Sequence, residues 1–281
     1  MIKAFIEYTF MRNAVFAIIL ASFVCGIIGT IIVEKKLVMM SGGIAHTAFG
    51  GIGMGYFLGI EPIIGALTFA VLSSIAVVKI NRSTNTNSDT LIAMFWSLGM
   101  ALGILFIAFT PGYPPDMTSY LFGDILKVSN TDVRVMIWLD IIVLSIMAVL
   151  FNYFKAYLFD DEFISILGIN TGLLEYLIYI LIAFTIVVLI RVVGIILIIA
   201  LLTVPPAIAK QFTYNLKKIM IISSFLGVIF GFVGLILSYY FNIASGASII
   251  IVGVGNYMII SYAKRILKKF NENKVKYKIH S

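Results

Sequence analysis

The sequence predicts an all-α fold, a polytopic transmembrane helix bundle of about nine spans, and three observations carry that prediction. Of the 281 residues, 61% are hydrophobic and only 12% are charged, whereas soluble domains carry about 25% charged residues. The apolar residues come in runs close to the ~20 that one helix needs to cross a hydrocarbon core of about 30 Å. Short polar punctuation separates these runs, leaving no stretch long and polar enough for a soluble domain. Residues 1–281 therefore read as a single transmembrane domain.

The runs lie near 14–33, 37–59, 62–80, 90–110, 132–154, 172–190, 193–211, 217–240 and 243–264. Glu34-Lys35-Lys36, Glu61-Pro62, Asn81–Asp89, Pro111–Thr131 and Lys155–Thr171 divide them. Within 172–211 only Arg191 and Gly194 break the apolar stretch, which is too long for one span and tight for two, so eight spans remain the alternative. Charge separates the two counts. With the turn after the first span inside, fifteen of the 20 Lys and Arg residues fall inside, including the tail Lys264–Lys278. Lys3, Arg12, Lys127, Arg134 and Arg191 fall outside. The positive-inside rule then favours nine spans, with the N-terminus outside and the C-terminus inside.

The same rule accounts for the net charge of +7 without a nucleic-acid partner. The single cysteine, Cys25, lies in an apolar run, so an internal disulfide is impossible and a cysteine metal site is not expected. The first apolar run lacks a small-residue cleavage site and is expected to remain in the mature chain.

The second span reads LVMMSGGIAHTAFGGIGMGYFLG over 37–59. Gly43, Thr47, Gly51, Gly55 and Gly59 recur every four residues and form one smooth helical ridge, which lets neighbouring helices approach closely in a membrane. The adjacent row is Gly42, His46 and Gly50, so His46 is expected to stand between glycines beside exposed backbone and open space. It sits about ten residues into the span, near mid-membrane, where ionisable groups are costly and mark substrate or ion paths by default. Imidazole is also the commonest metal ligand among side chains.

Five segments, in order, resemble the permease subunits of zinc/manganese ABC transporters. They are the glycine-rich run Met40–Gly59 with His46, Ser119–Leu126 (SYLFGDIL), Phe159–Gly168 (FDDEFISILG), Val193–Ala209 with Gly194, Ala200-Leu201-Leu202 and Pro206-Ala207, and Ser245-Gly246-Ala247. The resemblance covers roughly residues 10–260. It implies the fold of a type II ABC importer in the plasma membrane, two permease copies forming the path, and a transported divalent zinc, manganese or iron ion. It also implies two separate ATP-binding subunits and an extracytoplasmic substrate-binding protein. No permanently bound cofactor is expected. The chain itself has no GxxxxGK[ST] phosphate loop, so it is expected to be a transport subunit and ATP to be bound by the partner subunit.

The family commonly places an aspartate four residues before the histidine; here that position is Gly42. Asp140, in the outer half of the fifth span, is the acidic residue placed to assist His46, or else to hydrogen-bond Arg134 or a backbone group. On the inner side, residues 158–168 read as a short coupling helix. Asp160 is a fitting N-cap, Asp161 and Glu162 suit a helix N-terminus, and Gly168 can end the helix. Phe163, Ile166 and Leu167 share one face. The acidity opposes a lipid-surface helix, since such helices are usually basic, and the resemblance implies docking on the ATPase. Pro205-Pro206 is expected to kink or end its helix, as a gate or as a structural feature. The extracytoplasmic loop 111–131 has room for a helix from about Asp116 to Lys127, with Asp116, Asp124 and Lys127 available to the binding protein.

Three other readings carry less. A glycine-lined path leaves room for a metal chelate. An ion-coupled secondary transporter needs paired membrane carboxylates, and the spans offer only Asp140 and Glu175. An intramembrane serine protease rests on Gly246-Ala247-Ser248 and His46 alone.

Overall fold

The computed structural model describes residues 9–84, 87–112, 120–121, 123 and 125–279, with side chains through Leu267. Its helices are α1 (Thr9–Glu34), α2 (Val38–Leu58), α3 (Pro62–Thr84), α4 (Ser88–Phe109), α5 (Asn130–Phe159), α6 (Asp161–Ile166), α7 (Thr171–Ala209), α8 (Leu216–Phe241) and α9 (Ser245–Ile279), with a 3-10 turn at Ile125–Lys127. Seven of them are long and apolar enough to cross a membrane, and the glycine-rich α2, with 21 residues, adds an eighth.

Helix α7 is 39 residues long, about twice the ~20 that one span requires. Its ion pairs show how it fits. Glu175 pairs with Arg82 at the end of α3 (2.6 Å). Arg191 pairs with Glu61 before α3 (3.1 Å) and with Asp132 at the start of α5 (3.2 Å). Lys210 pairs with Glu34 at the end of α1 (2.9 Å). Glu61 and Arg82 mark opposite ends of α3, as Glu34 and Glu61 mark opposite ends of α2. The chain therefore runs from the Arg82 face to the Arg191 face and back again. It reverses at Gly194, whose φ of 77° and ψ of 163° are the one non-helical conformation inside α7. Arms 171–193 and 195–209 therefore run in opposite directions, and the division falls near Arg191 and Gly194 as expected.

The reversal needs a residue that tolerates positive φ, which glycine does at little cost. Gly123, from the preceding loop, packs against the backbone of Val193 and Gly194, and a Cβ there would fall on that backbone. Of the two outcomes expected at Pro205-Pro206, a kink or a helix end, the end comes only three residues later. Both prolines are buried, the helix continues to Ala209, and the Pro206 carbonyl accepts from Lys210 N. A proline removes one hydrogen bond and crowds the carbonyl four residues back, and so near the end of the arm little helix remains to be disturbed.

Burial sorts the helices. The most apolar windows of α1 and α7 are 67% and 72% buried, while those of α4 and α9 are only 22% buried. The centre is thus α1 and α7, with α2 held between α3, α4 and the second arm of α7. Apolar side chains on α4, α5 and α9 face outward, as lipid contact requires. The expected loop helix from Asp116 to Lys127 falls mostly outside the described residues. What is described of it ends in the 3-10 turn.

Along the small-residue ridge of α2, Gly43 meets Ile92 of α4, Gly51 lies on Gly65 of α3 and Gly55 on Pro62, while Gly59 falls past the helix end and touches nothing. Gly53, off the ridge, packs on Gly103 of α4. A side chain at Gly51 would collide with the Gly65 backbone, which cannot yield as a flexible side chain can. Gly51→Val should therefore lower the thermal stability of the detergent-solubilised chain by at least the ~1–3 kcal/mol typical of overpacking. An unchanged melting temperature would contradict this packing.

Candidate metal pathway and docking helix

His46 lies on α2 nine residues from the Glu34–Leu37 turn, partly buried. Its ring stacks on Trp96 of α4, with centroids 4.2 Å apart and planes inclined by 8°. Nδ1 is buried and has no hydrogen-bond partner among the described residues. A buried polar atom without a partner is costly in a membrane helix, and this one is the candidate ligand atom of the span. Trp96 was not foreseen. The signal was present, because tryptophans in membrane proteins concentrate at the interfaces and this one lies within a span.

The glycines flanking His46 behave differently from one another. At Gly42 an added Cβ would make ordinary contacts, 3.7 Å from Trp96 and 3.9 Å from Ile199 on the second arm of α7. Gly50 is closed, since a Cβ there would lie 2.5 Å from the Gly99 carbonyl oxygen. The open space expected on both sides of His46 is thus absent at Gly50, and at Gly42 there is room for a methyl group in contact with Trp96 and Ile199. Gly50 instead serves the α2–α4 crossing, where Thr47 Oγ1 also donates to the Phe95 carbonyl (3.1 Å). Space at Gly42 supports a further expectation. Gly42→Asp should fold normally and, by adding a carboxylate one turn from His46, raise divalent-metal retention in equilibrium dialysis by about tenfold or more. Retention equal to wild type would show that the two positions do not converge on an ion.

Asp140 does not join His46. It is 6% exposed on α5, which packs on α1, α6 and α7, and its electrostatic neighbour is Cys25 of α1. Its Oδ1 has no hydrogen-bond partner, so the expected bond to Arg134 or to backbone does not satisfy that oxygen. Among the described residues no group of three or more His, Cys, Asp or Glu could hold a metal ion. The surroundings of His46 are therefore a stacked indole and, one turn away, the side-chain-free position Gly42.

On the face bearing Lys35, Arg82 and Lys210, the segment expected to dock forms a short helix. Asp160 Oδ1 accepts from Phe163 N (2.9 Å) and caps α6, which is shorter than the expected 158–168. Leu158 and Phe159 belong to α5, while Leu167 and Gly168 (φ 79°) form the closing turn. Ile164 is buried against the bundle; Phe163, Ile166 and Leu167 are 57%, 81% and 61% exposed. Asp161 pairs with Lys35 (3.3 Å), whose ammonium also lies 4.0 Å from the centre of the Tyr157 ring. Lys35 sits in the turn that leads into α2, so α6 is tied to the helix that carries His46.

On the opposite face, Tyr56 and Tyr120 share a hydrogen bond (3.2 Å), and burial with that bond pushes the Tyr120 phenol above its usual range. Tyr120 joins Glu61 and Arg191 around a small cleft. Asp116 and Asp124 lie outside the described residues; Lys127 is exposed in the 3-10 turn.

Comparison with known proteins agrees with this architecture. Residues 7–264 match the ABC 3 transport family. An uncharacterised membrane protein of Synechocystis sp. is 41% identical over 254 residues, covering 90% of each chain. The manganese import system permease protein ScaB of Streptococcus gordonii is 32% identical over 276 residues, covering 96% of this chain and 99% of its own. The solved structure of PsaBC from Streptococcus pneumoniae in complex with Fab superposes with a TM-score of 0.83 at 29% identity, covering 92% of this chain and 93% of that one. With these matches over nearly its whole length, this multi-pass membrane protein belongs to the ABC 3 transport family and is a transport subunit of that family's permease type.

Proposed function

We propose that the chain is the permease of an ATP-driven importer for a bare divalent transition-metal ion, with manganese the first candidate, and that the ion contacts His46 as it crosses. The observation that carries this reading is the buried, unpartnered Nδ1 of His46 in the second span. Imidazole accepts manganese, iron(II) and zinc. A site with one ligand per chain binds weakly, and weak binding suits passage, since a transported ion must leave as readily as it enters. Two copies of the chain would each present one His46. The manganese import permease among the relatives supports the choice of ion.

Energy would come from two separate ATP-binding subunits docked on the exposed Phe163, Ile166 and Leu167 face. Through Lys35 and Asp161 their motion would reach α2, opening the path alternately to each side. An extracytoplasmic binding protein would deliver the ion at the face bearing Glu61 and Arg191. The basic face is then cytoplasmic, in keeping with the distribution of Lys and Arg. Release of an ion from a metal chelate before entry, or passage of the chelate whole, is distinguished by uptake of radioactive manganese into cells that lack their own importer. Uptake should fall when excess zinc or iron(II) competes and should not require a chelating carrier molecule. Uptake only in the presence of an organic chelator would replace the bare-ion reading.

A further inference from the structure

Helices α5 and α8 both pack on α1 but make no substantial packing against each other. The gap between them is a groove of about 610 Å³ floored by α1. Met147, Met220 and Ser224 are buried at its base, and Leu144, Ile221 and Phe225 stand exposed along its walls. Polar groups gather at one end. Asn152 and Lys217 line the groove where it meets the basic face, and the Lys217 ammonium lies 4.9 Å from the centre of the Phe151 ring. Lys217 thereby bridges the mouth from α8 to α5.

From Lys217 to Phe225 the groove runs eight residues along α8, about 12 Å. That distance fits within the ~15 Å of hydrocarbon in one leaflet. The walls are apolar at the depth of the acyl chains, and a cation stands at the depth of the headgroups, with Lys218 next in the chain. Basic pockets between membrane helices on the cytoplasmic side recognise anionic lipid headgroups in this way. We infer that this groove is a binding site for an anionic phospholipid, with one acyl chain lying between α5 and α8 and the phosphate on Lys217. Asn152 offers its amide to the glycerol esters. The lipid would fill a place where two outer helices leave α1 uncovered, and its assignment does not depend on which ion the chain carries.

The test is native mass spectrometry of the full-length chain in mild detergent, incubated with phosphatidylglycerol or with phosphatidylcholine. The wild type should retain one phosphatidylglycerol per chain and clearly less phosphatidylcholine. Lys217→Ala should lose that preference. Ala148→Trp, at an exposed wall position where the added ring enters the groove, should lose both lipids while keeping its melting temperature, and Ile221→Trp should do the same from the other wall. Undiminished phosphatidylglycerol in both tryptophan variants would overturn the proposal. So would a disulfide forming between two copies of Ile221→Cys in bilayers, because a second chain would then occupy the groove.

Discussion

His46→Ala should reduce ATP-driven metal uptake by more than about tenfold, the scale set by ~1.4 kcal/mol of lost interaction with the ion in transit. The packing of α2 gives the substitution its specificity. The helix is held by Gly43, Gly51, Gly53 and Gly55 against α3 and α4, none of which depends on the imidazole. Removing the ring exposes one face of Trp96 but breaks no hydrogen bond of Nδ1, since that atom has none. The variant should therefore fold, assemble with its ATPase and hydrolyse ATP while failing to move the ion. His46→Gln separates the two parts of the side chain's role, because it keeps a polar group but lacks the imidazole. Uptake should stay low in that variant as well. Uptake at the wild-type level in His46→Ala would move the ion path away from α2.

Reversing charge at the docking helix, with Asp161→Lys and Glu162→Lys together, should have a comparable effect by a different route. Asp161 holds Lys35 at 3.3 Å, and reversal sets two ammonium groups against each other beside the turn into α2. The acidic first turn also favours the short helix through its dipole, so reversal loosens α6 while the Asp160 cap remains. Ile164, buried at 1% exposure, keeps the segment anchored. The expected result is loss of transport with the membrane bundle intact. ATP hydrolysis should either no longer respond to the metal-loaded binding protein, or be lost from the purified complex because the ATPase dissociates. Normal transport and normal co-purification would remove α6 from the coupling route.

The sequence made much of this architecture legible through patterns set by the bilayer. Hydrophobic length located the spans, and the four-residue recurrence from Gly43 to Gly55 marked the face of α2 that packs. Arg191 and Gly194 marked the reversal in α7 because a charge and a glycine are out of place in a continuous apolar run. The structure adds the reason, since Arg191 is held by Glu61 and Asp132 and Gly194 takes positive φ. Contacts between distant segments were not legible. Gly50 and Gly42 look equivalent on a helical wheel, yet a Cβ would strike the Gly99 backbone at one and make only ordinary contact with Trp96 at the other. The depth of Asp140 suggested a partner for His46, but which helix it faces depends on the packing of α5 on α1. Pro205-Pro206 showed the limit of a local rule, because a buried helix end absorbs a missing donor that an isolated helix would not.

The central claim is that ATP, and no ion gradient, drives a divalent metal through this chain. Its most direct test is uptake of manganese into proteoliposomes containing the permease and its ATP-binding subunit, with the binding protein at the Glu61–Arg191 face and ATP at the Lys35–Lys210 face. Accumulation should require ATP and survive collapse of proton and sodium gradients. Accumulation without ATP that follows either gradient would contradict it.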